Sequence, residues 1–436
     1  MKKTFIKRLR NLKKNKIEKI LLIILSIICI IFLFYLLRIS SLSWKSIIAD
    51  TWQEVLITAL GIVGAACVAY LIHKIVLIIM NKIEDTMKLN PDYEELINTY
   101  SNSIGKFLKI KIGFEQIKLL KLSYKSCSYF QGDFCILPIE VIFFKSPNKK
   151  FVLEISDKRK KYYRIPTNIL QHYDENIQAH ESSCIYNNLL VKVDDCSVLP
   201  EGCGIFLKTS RTTYFDSLVT NRSVDYIWES GLTIRKMYTY GKRISSLRNS
   251  SLSNHLGING IVKTKDGYIV CVHRNGEASI GKRTYSISVG AAVQSTVVVD
   301  GKGRFIEKGI NNAIEDMLCK ELNLQCKDYQ FSLEDNIIAF YRDWVEGGKP
   351  QLLFYVDCLV TSEKLRKLFE SRKSKVNQKI SFIHLSSLQT AVITADYVIV
   401  NPFDRKKKYY NVLPSVAASV YLFCTYLENK IITSDT

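Results

Sequence analysis

The chain has 436 residues and a formal net charge of +20, with 47% hydrophobic and 23% charged residues. That length is too great for one ordinary hydrophobic core, and because the composition is close to a globular average, its unusual features must be local. Twelve cysteines occur without a CxxC pair or a histidine at metal spacing. This excludes the familiar zinc-binding patterns, and reduced, mostly buried thiols are expected.

Residues 1–19 form a basic leader in which nine Lys and Arg side chains are opposed only by Glu18, so it carries +8 of the total. From Ile20 to Leu37 the sequence ILLIILSIICIIFLFYLL is uncharged. At helical rise it covers roughly 27 Å, close to the ~30 Å hydrocarbon core of a bilayer, and predicts a transmembrane helix over 20–37. A second span is predicted over 55–80, with Lys74 snorkelling toward the interface. No A-x-A cleavage site follows Leu37, so the first span reads as an uncleaved anchor. The excess of Lys and Arg before it, against Arg38 and Lys45 in the connection, places both termini in the cytoplasm. Gly61, Ala65 and Ala69 give the second span a flat face for close helix packing, either between chains or against the first span. No acidic residue or Arg lies inside either span, so no ion or proton pathway is expected.

Residues 83–203 read as a helical connector followed by a β-rich region. NPDYEELINTY has the Asn-Pro and early acids of a helix start, and apolar spacing runs on through Ile104, Phe107, Leu108 and Ile110. FCILPIEVIFF, KFVLEIS, KYYRIP and NLLVKVDD then read as short strands. The boundary near residue 200 is soft, because no linker composition marks it.

From residue 204 to 436 the pattern becomes more specific. HLGINGIVKTKDGYIVCVHRNGE is a hairpin with an Asp-Gly turn, YSISVGAAV is a strand ending in Gly290 and Ala291, and STVVVDGKGRFIE reads as a further strand with a turn. In GINNAIEDMLCKELNL, Ile310, Ala313, Ile314, Met317, Leu318 and Leu322 keep helical spacing.

This order of hairpin, glycine turn, loop and helix resembles a NUDIX domain. The family signature REUxEExGU would fall on residues 316–324, where Met317 and Lys320 stand in place of two metal-binding glutamates and only Glu321 remains. The resemblance therefore implies a NUDIX-like α/β sandwich without hydrolase activity, and neither a cofactor nor a bound metal is expected. Arg211, Arg243, Arg274, Lys282, Arg283 and Tyr285 are the candidate ligand-binding residues, since Arg forms bidentate contacts to phosphate and an aromatic ring can stack on a base. Lys242 and His255 belong to the same basic group, with Tyr214 and Trp344 as further stacking candidates.

The whole chain resembles the CBASS antiphage effectors that join two transmembrane helices to a NUDIX-like domain. That resemblance implies a membrane-anchored α+β protein of the bacterial inner membrane that assembles as a homo-oligomer. It would sense a cyclic oligonucleotide made by a CD-NTase enzyme and disrupt membrane lipid. The alternatives are a membrane-tethered NUDIX hydrolase and a constitutive membrane scaffold.

Overall fold

The computed structural model describes residues 89 to 434, apart from 114–115, 117, 119–127, 181–185, 240, 277, 373–377 and 405. Early in this region a short helix, α1 (Tyr93–Thr99), is capped by the Asp92 side chain, which accepts the Glu95 amide at 2.9 Å. The chain then forms β1 (Phe107–Lys111), β2 (Tyr129–Gln131), β3 (Phe134–Phe144), β4 (Val152–Tyr162), β5 (Leu189–Val198) and β6 (Gly204–Thr213). After the short helix α2 (Tyr214–Val219) come β7 (Gly257–Lys263), β8 (Tyr268–His273), β9 (Tyr285–Ile287) and β10 (Val289–Ala292). Helix α3 (Glu307–Leu322) leads to β11 (Tyr329–Gln330), β12 (Ile337–Asp343) and β13 (Lys349–Cys358). Helix α4 (Ser362–Glu370), β14 (Lys379–His384), β15 (Val392–Ile393), β16 (Tyr397–Val400), β17 (Lys408–Asn411) and helix α5 (Pro414–Ser434) complete the described chain.

An eleven-stranded sheet organises these elements in the order β1-β3-β12-β13-β7-β8-β14, with β2, β9, β10 and β11 paired at its flanks. Its β13–β7 pair is parallel and the rest of its pairs are antiparallel. Both faces are covered, which explains why the central strands are apolar without alternation. In β13, Leu353 and Tyr355 face the core under α5, whereas Leu352, Phe354 and Val356 face the core under α3. A separate three-stranded sheet, β4-β6-β5, packs into the α3 side. Residues 87–436 form one compact unit, and the soft boundary near residue 200 coincides with the tight turn between β5 and β6.

Two expectations are corrected. Over the described residues the membrane-anchored α+β fold class is replaced by a β-dominated architecture. Among the described residues no helix is long and apolar enough to cross a membrane. Even α5, at 21 residues, carries Glu428 and Lys430 and spends its apolar face on the large sheet. The leader 1–19, the spans 20–37 and 55–80, and Gly61, Ala65 and Ala69 lie outside the described residues, and the multi-pass inner-membrane localisation is withdrawn with the fold class. The second correction concerns the helical connector. Phe107–Lys111 is not helical but extended, pairing with β3. An eleven-residue apolar strand needs a backbone partner on each side, and that tertiary demand overrides the local spacing.

Helix α3 approaches the preceding segment through Gly309. A Cβ placed there would lie 2.1 Å from the Val298 carbonyl oxygen, so backbone would have to move. Gly309→Ala is expected to cost about 1–3 kcal/mol of stability, measured as a lower urea midpoint with an unchanged slope.

Candidate functional site

The turn between β12 and β13 is the least expected feature of the chain. Surface turns are the rule because backbone polar groups need water, yet every residue from Asp343 to Lys349 is buried. Gly347 and Gly348 make this possible. Both have positive φ (67° and 84°), and a Cβ would meet Leu252 at 2.6 Å in the first case and Arg342 at 2.7 Å in the second. The turn therefore drives two charged side chains, Glu346 and Lys349, into the protein interior.

Those charges are satisfied as a cluster. Glu346 accepts from Arg222 Nε at 3.2 Å and from Lys349 Nζ at 3.2 and 3.3 Å. Arg222 Nη1 donates to Tyr214 Oη at 2.7 Å and to Ser279 Oγ, while Nη2 keeps no hydrogen bond among the described residues. Burial penalises the charge of Glu346, but Lys349 and Arg222 outweigh it and hold the carboxyl below its ordinary range. Burial lowers Lys349, with Glu346 opposing the shift. Asp343, at the start of the turn, is pushed up to about 7 by burial and by the neighbouring Glu346 charge. His255 is held well below its usual value by burial and by Lys349 and Arg222, so it is neutral, and its Nδ1 lies 2.7 Å from Ser217 Oγ.

Above this cluster opens a cleft of about 1120 Å³, lined by Arg222, Glu346 and Lys349 at its floor. Arg274, just past β8, forms one wall and donates to the Ile280 carbonyl at 3.2 Å and to Ser286 Oγ at 3.1 Å. Burial and the Arg222 charge lower its affinity for its proton, while Glu346 and Glu321 sustain it. The opposite wall holds Lys320 and Glu321 at the end of α3, and Arg372 beyond α4. Arg372 donates to the Phe369 carbonyl at 2.8 Å and stacks over the Phe369 ring. Five cationic side chains thus line the cleft against two carboxylates, Glu321 and Glu346.

Helix α3 ends in a left-handed C-cap. Asn323 adopts the left-handed conformation (φ 58°) at the position where the family pattern has glycine, and Leu324 is buried. Gly290 donates its amide to Glu321 at 3.3 Å, so the glycine turn and the helix end do meet. The metal-binding positions do not fit a divalent cation. Met317 is buried in the core, Lys320 pairs with Asp316 at 2.7 Å, and among the described residues no three His, Cys, Asp or Glu side chains are placed to share an ion.

Of Arg211, Arg243, Arg274, Lys282, Arg283 and Tyr285, Arg274 alone lines the cleft. Arg211 is buried in β6, its guanidinium bidentate to Asp157 at 2.7 Å, and ties the small sheet to the Gly303 carbonyl. Arg243 and Arg283 are exposed elsewhere, and Lys282 is half-buried outside the cleft. Tyr285 is packed edge-on between His273 and Tyr410, each 4.9 Å away. Tyr214 and His255 do reach the cleft, whereas Trp344 is core, 5.0 Å from Tyr100. Sequence reasoning missed Arg222, Glu346, Lys349 and Arg372. The signal that existed was a Glu-Gly-Gly-Lys run between two strongly apolar strands, which is an odd choice for a solvent-exposed turn.

No protein-family model matches the chain, and no curated protein does. Among solved structures, DR0079 from Deinococcus radiodurans is similar at 12% identity and a TM-score of 0.24, over 38% of this chain and 83% of that one. Tm1382, a proposed Nudix hydrolase, is similar at 14% identity and a TM-score of 0.22, over 31% of this chain and 61% of its own. The likeness to Nudix-like structures is therefore weak and carries nothing about chemistry.

Glu321 lines the cleft, and burial pushes its carboxyl up to about 7, against the Gly290 amide and the Arg274 and Arg372 charges. From its ordinary 4.5 to about 7 the folded state holds this proton more tightly than the unfolded chain, so stability falls as pH rises through that window. The loss attributable to Glu321 is expected to be about 1–3 kcal/mol. Urea unfolding at pH 5 and pH 7.5 should show Glu321→Gln with a smaller loss than the parent, the part due to Asp343 remaining in both.

Proposed function

We propose that the chain is a non-catalytic sensor whose cleft binds a cyclic oligonucleotide. What supports this reading is the cleft floor, where Glu346 holds Arg222 and Lys349 in place beneath an opening that also presents Arg274, Arg372 and Lys320. Preorganised cations of this kind suit phosphate oxygens, because guanidinium groups bond them through two donors at once and lose little side-chain freedom in doing so. A cleft of about 1120 Å³ lies at the upper end of small-molecule sites, with room for more than one nucleotide. Its openings to polar side chains such as Asn259 and Gln351 offer donors and acceptors for base edges.

The absence of turnover belongs to the same proposal. A NUDIX hydrolase needs carboxylates that converge on magnesium, and here Lys320 would repel such an ion while Met317 faces the core. Without those ligands the helix end serves as a wall of the binding site.

Calorimetry on the full chain with cyclic di- and trinucleotides tests the binding. Submicromolar affinity for at least one is expected, and Arg274→Ala should weaken it by about ten- to a hundredfold, the value of one charge-assisted contact. Among the described residues the Arg274 side chain makes two hydrogen bonds, both to residues of the loop and strand that follow it, so its loss should leave the melting temperature nearly unchanged. An Arg274→Ala protein that binds as tightly as the parent would remove the cleft from consideration. Incubation of the same protein with nucleoside diphosphate compounds and Mg²⁺ should yield no product, and robust turnover lost in Glu321→Gln would replace the sensor by a hydrolase.

A further inference from the structure

A carboxylate is an unexpected wall for an anion-binding cleft, and Glu321 is the one whose place remains to be explained. The other acids nearby are committed. Glu346 is held by Arg222 and Lys349, and Asp316 by Lys320. Among the described residues Glu321 receives only the Gly290 amide, at a long 3.3 Å. An ionised carboxylate offers about four lone-pair sites. Among the described residues neither Arg274 nor Arg372 donates to it: Arg274 Nη1 and Nη2 donate to Ile280 and Ser286, and Arg372 Nη1 donates to Phe369. The group is therefore under-coordinated in a site from which a bound ligand excludes water, and leaving it so is costly.

Phosphate cannot answer this need, because it brings acceptors and negative charge. The ligand must bring neighbouring hydrogen-bond donors. We propose that Glu321 reads a nucleobase, accepting the adjacent N1–H and N2–H donors of a guanine edge, and that the cleft prefers guanine-bearing ligands over adenine-bearing ones. This rests on the nucleotide-binding reading above. Guanine sets two donors side by side, matching the two oxygens of one carboxylate. Adenine sets an N1 acceptor beside its amino group and turns a lone pair toward Glu321. Ribose hydroxyls are the other donors a nucleotide carries, and a deoxyribose ligand separates that source from the base.

The assignment carries a proton signature. Donors from guanine favour ionised Glu321, whose carboxyl otherwise titrates near neutrality, so guanine binding at pH 7 releases protons and affinity rises from pH 6 to 8. A phosphate seated beside Glu321 would do the reverse and take protons up. Among the described residues the titratable neighbours on these walls are Arg274, Arg372, and Lys320 and Cys319 of the same helix, while β10 presents only the Gly290 amide.

The experiment is calorimetry of the full chain with the cyclic dinucleotides of guanine, hypoxanthine and adenine and with the 2′-deoxy guanine form, in buffers of different ionisation enthalpy. Guanine should bind about a hundredfold more tightly than adenine, and hypoxanthine, which lacks the N2 amino group, about tenfold more weakly than guanine. The deoxy form should match its ribose parent. Glu321→Gln should erase most of the guanine preference, and Glu321→Asp should keep part of it. Guanine and adenine forms binding alike, proton uptake in place of release, or discrimination that follows the ribose hydroxyl would each overturn the assignment while leaving the sensor reading intact. If none of these dinucleotides binds, the guanine assignment is overturned, and the sensor reading falls with it when the cyclic trinucleotides fail to bind as well. The proton measurement uses the parent chain, so a variant that folds poorly does not decide the matter.

Discussion

The site depends on one buried carboxylate. Glu346 sits on a buried turn at the floor of the cleft, and its negative charge favours the ionised forms of Arg222 and Lys349 there. Buried ion pairs of this kind give little net stability, because desolvation offsets most of the attraction. Removing one partner is costly for the same reason, since it strands the others without compensation. The arrangement therefore fixes positions more than it stabilises the fold. Gly347 and Gly348 are its backbone requirement, and the pairing of β12 with β13 and β3 is what holds the turn at depth.

The same logic connects the two ends of the cleft. On the floor, cations are held by an internal anion with donors to spare. On the wall, α3 ends in Lys320 and Glu321. Asp316 neutralises Lys320 along the helix, and Glu321 is left to face the cleft against the Gly290 amide. Arg274 lies in the field of both ends, feeling Arg222 and Glu346 on one side and Glu321 on the other. A ligand that spans the cleft thus meets positive charge and an acceptor in sequence, an ordered pattern suited to a molecule that carries both phosphate and base.

Part of this was legible from residues alone. The 257–273 hairpin, the helix over 307–322 and the apolar strand over 134–144 follow from periodicity and turn chemistry, because local backbone preference and burial agree there. Agreement fails at Phe107–Lys111, whose spacing reads as helical but whose backbone completes the sheet edge. It fails again at Val299, where an expected strand gives only a single bridge to Phe305 around the Asp300 turn. Basic residues were the least legible. Arg211 and Arg222 look alike in sequence, yet one is consumed by Asp157 and the other lines the cleft.

What the sequence determined by itself was the set of local elements, the glycine turn beside a helix, and the presence of Met317 and Lys320 rather than carboxylates on that helix. Each is a property of neighbours in the chain, where turn preference, helical period and side-chain identity act over a few residues. Which charges meet was decided only by the tertiary structure. Glu346 and Arg222 are joined across 124 positions, and Gly290 reaches Glu321 across 31. Electrostatic attraction and desolvation depend on distance and burial in three dimensions, and a linear pattern records neither.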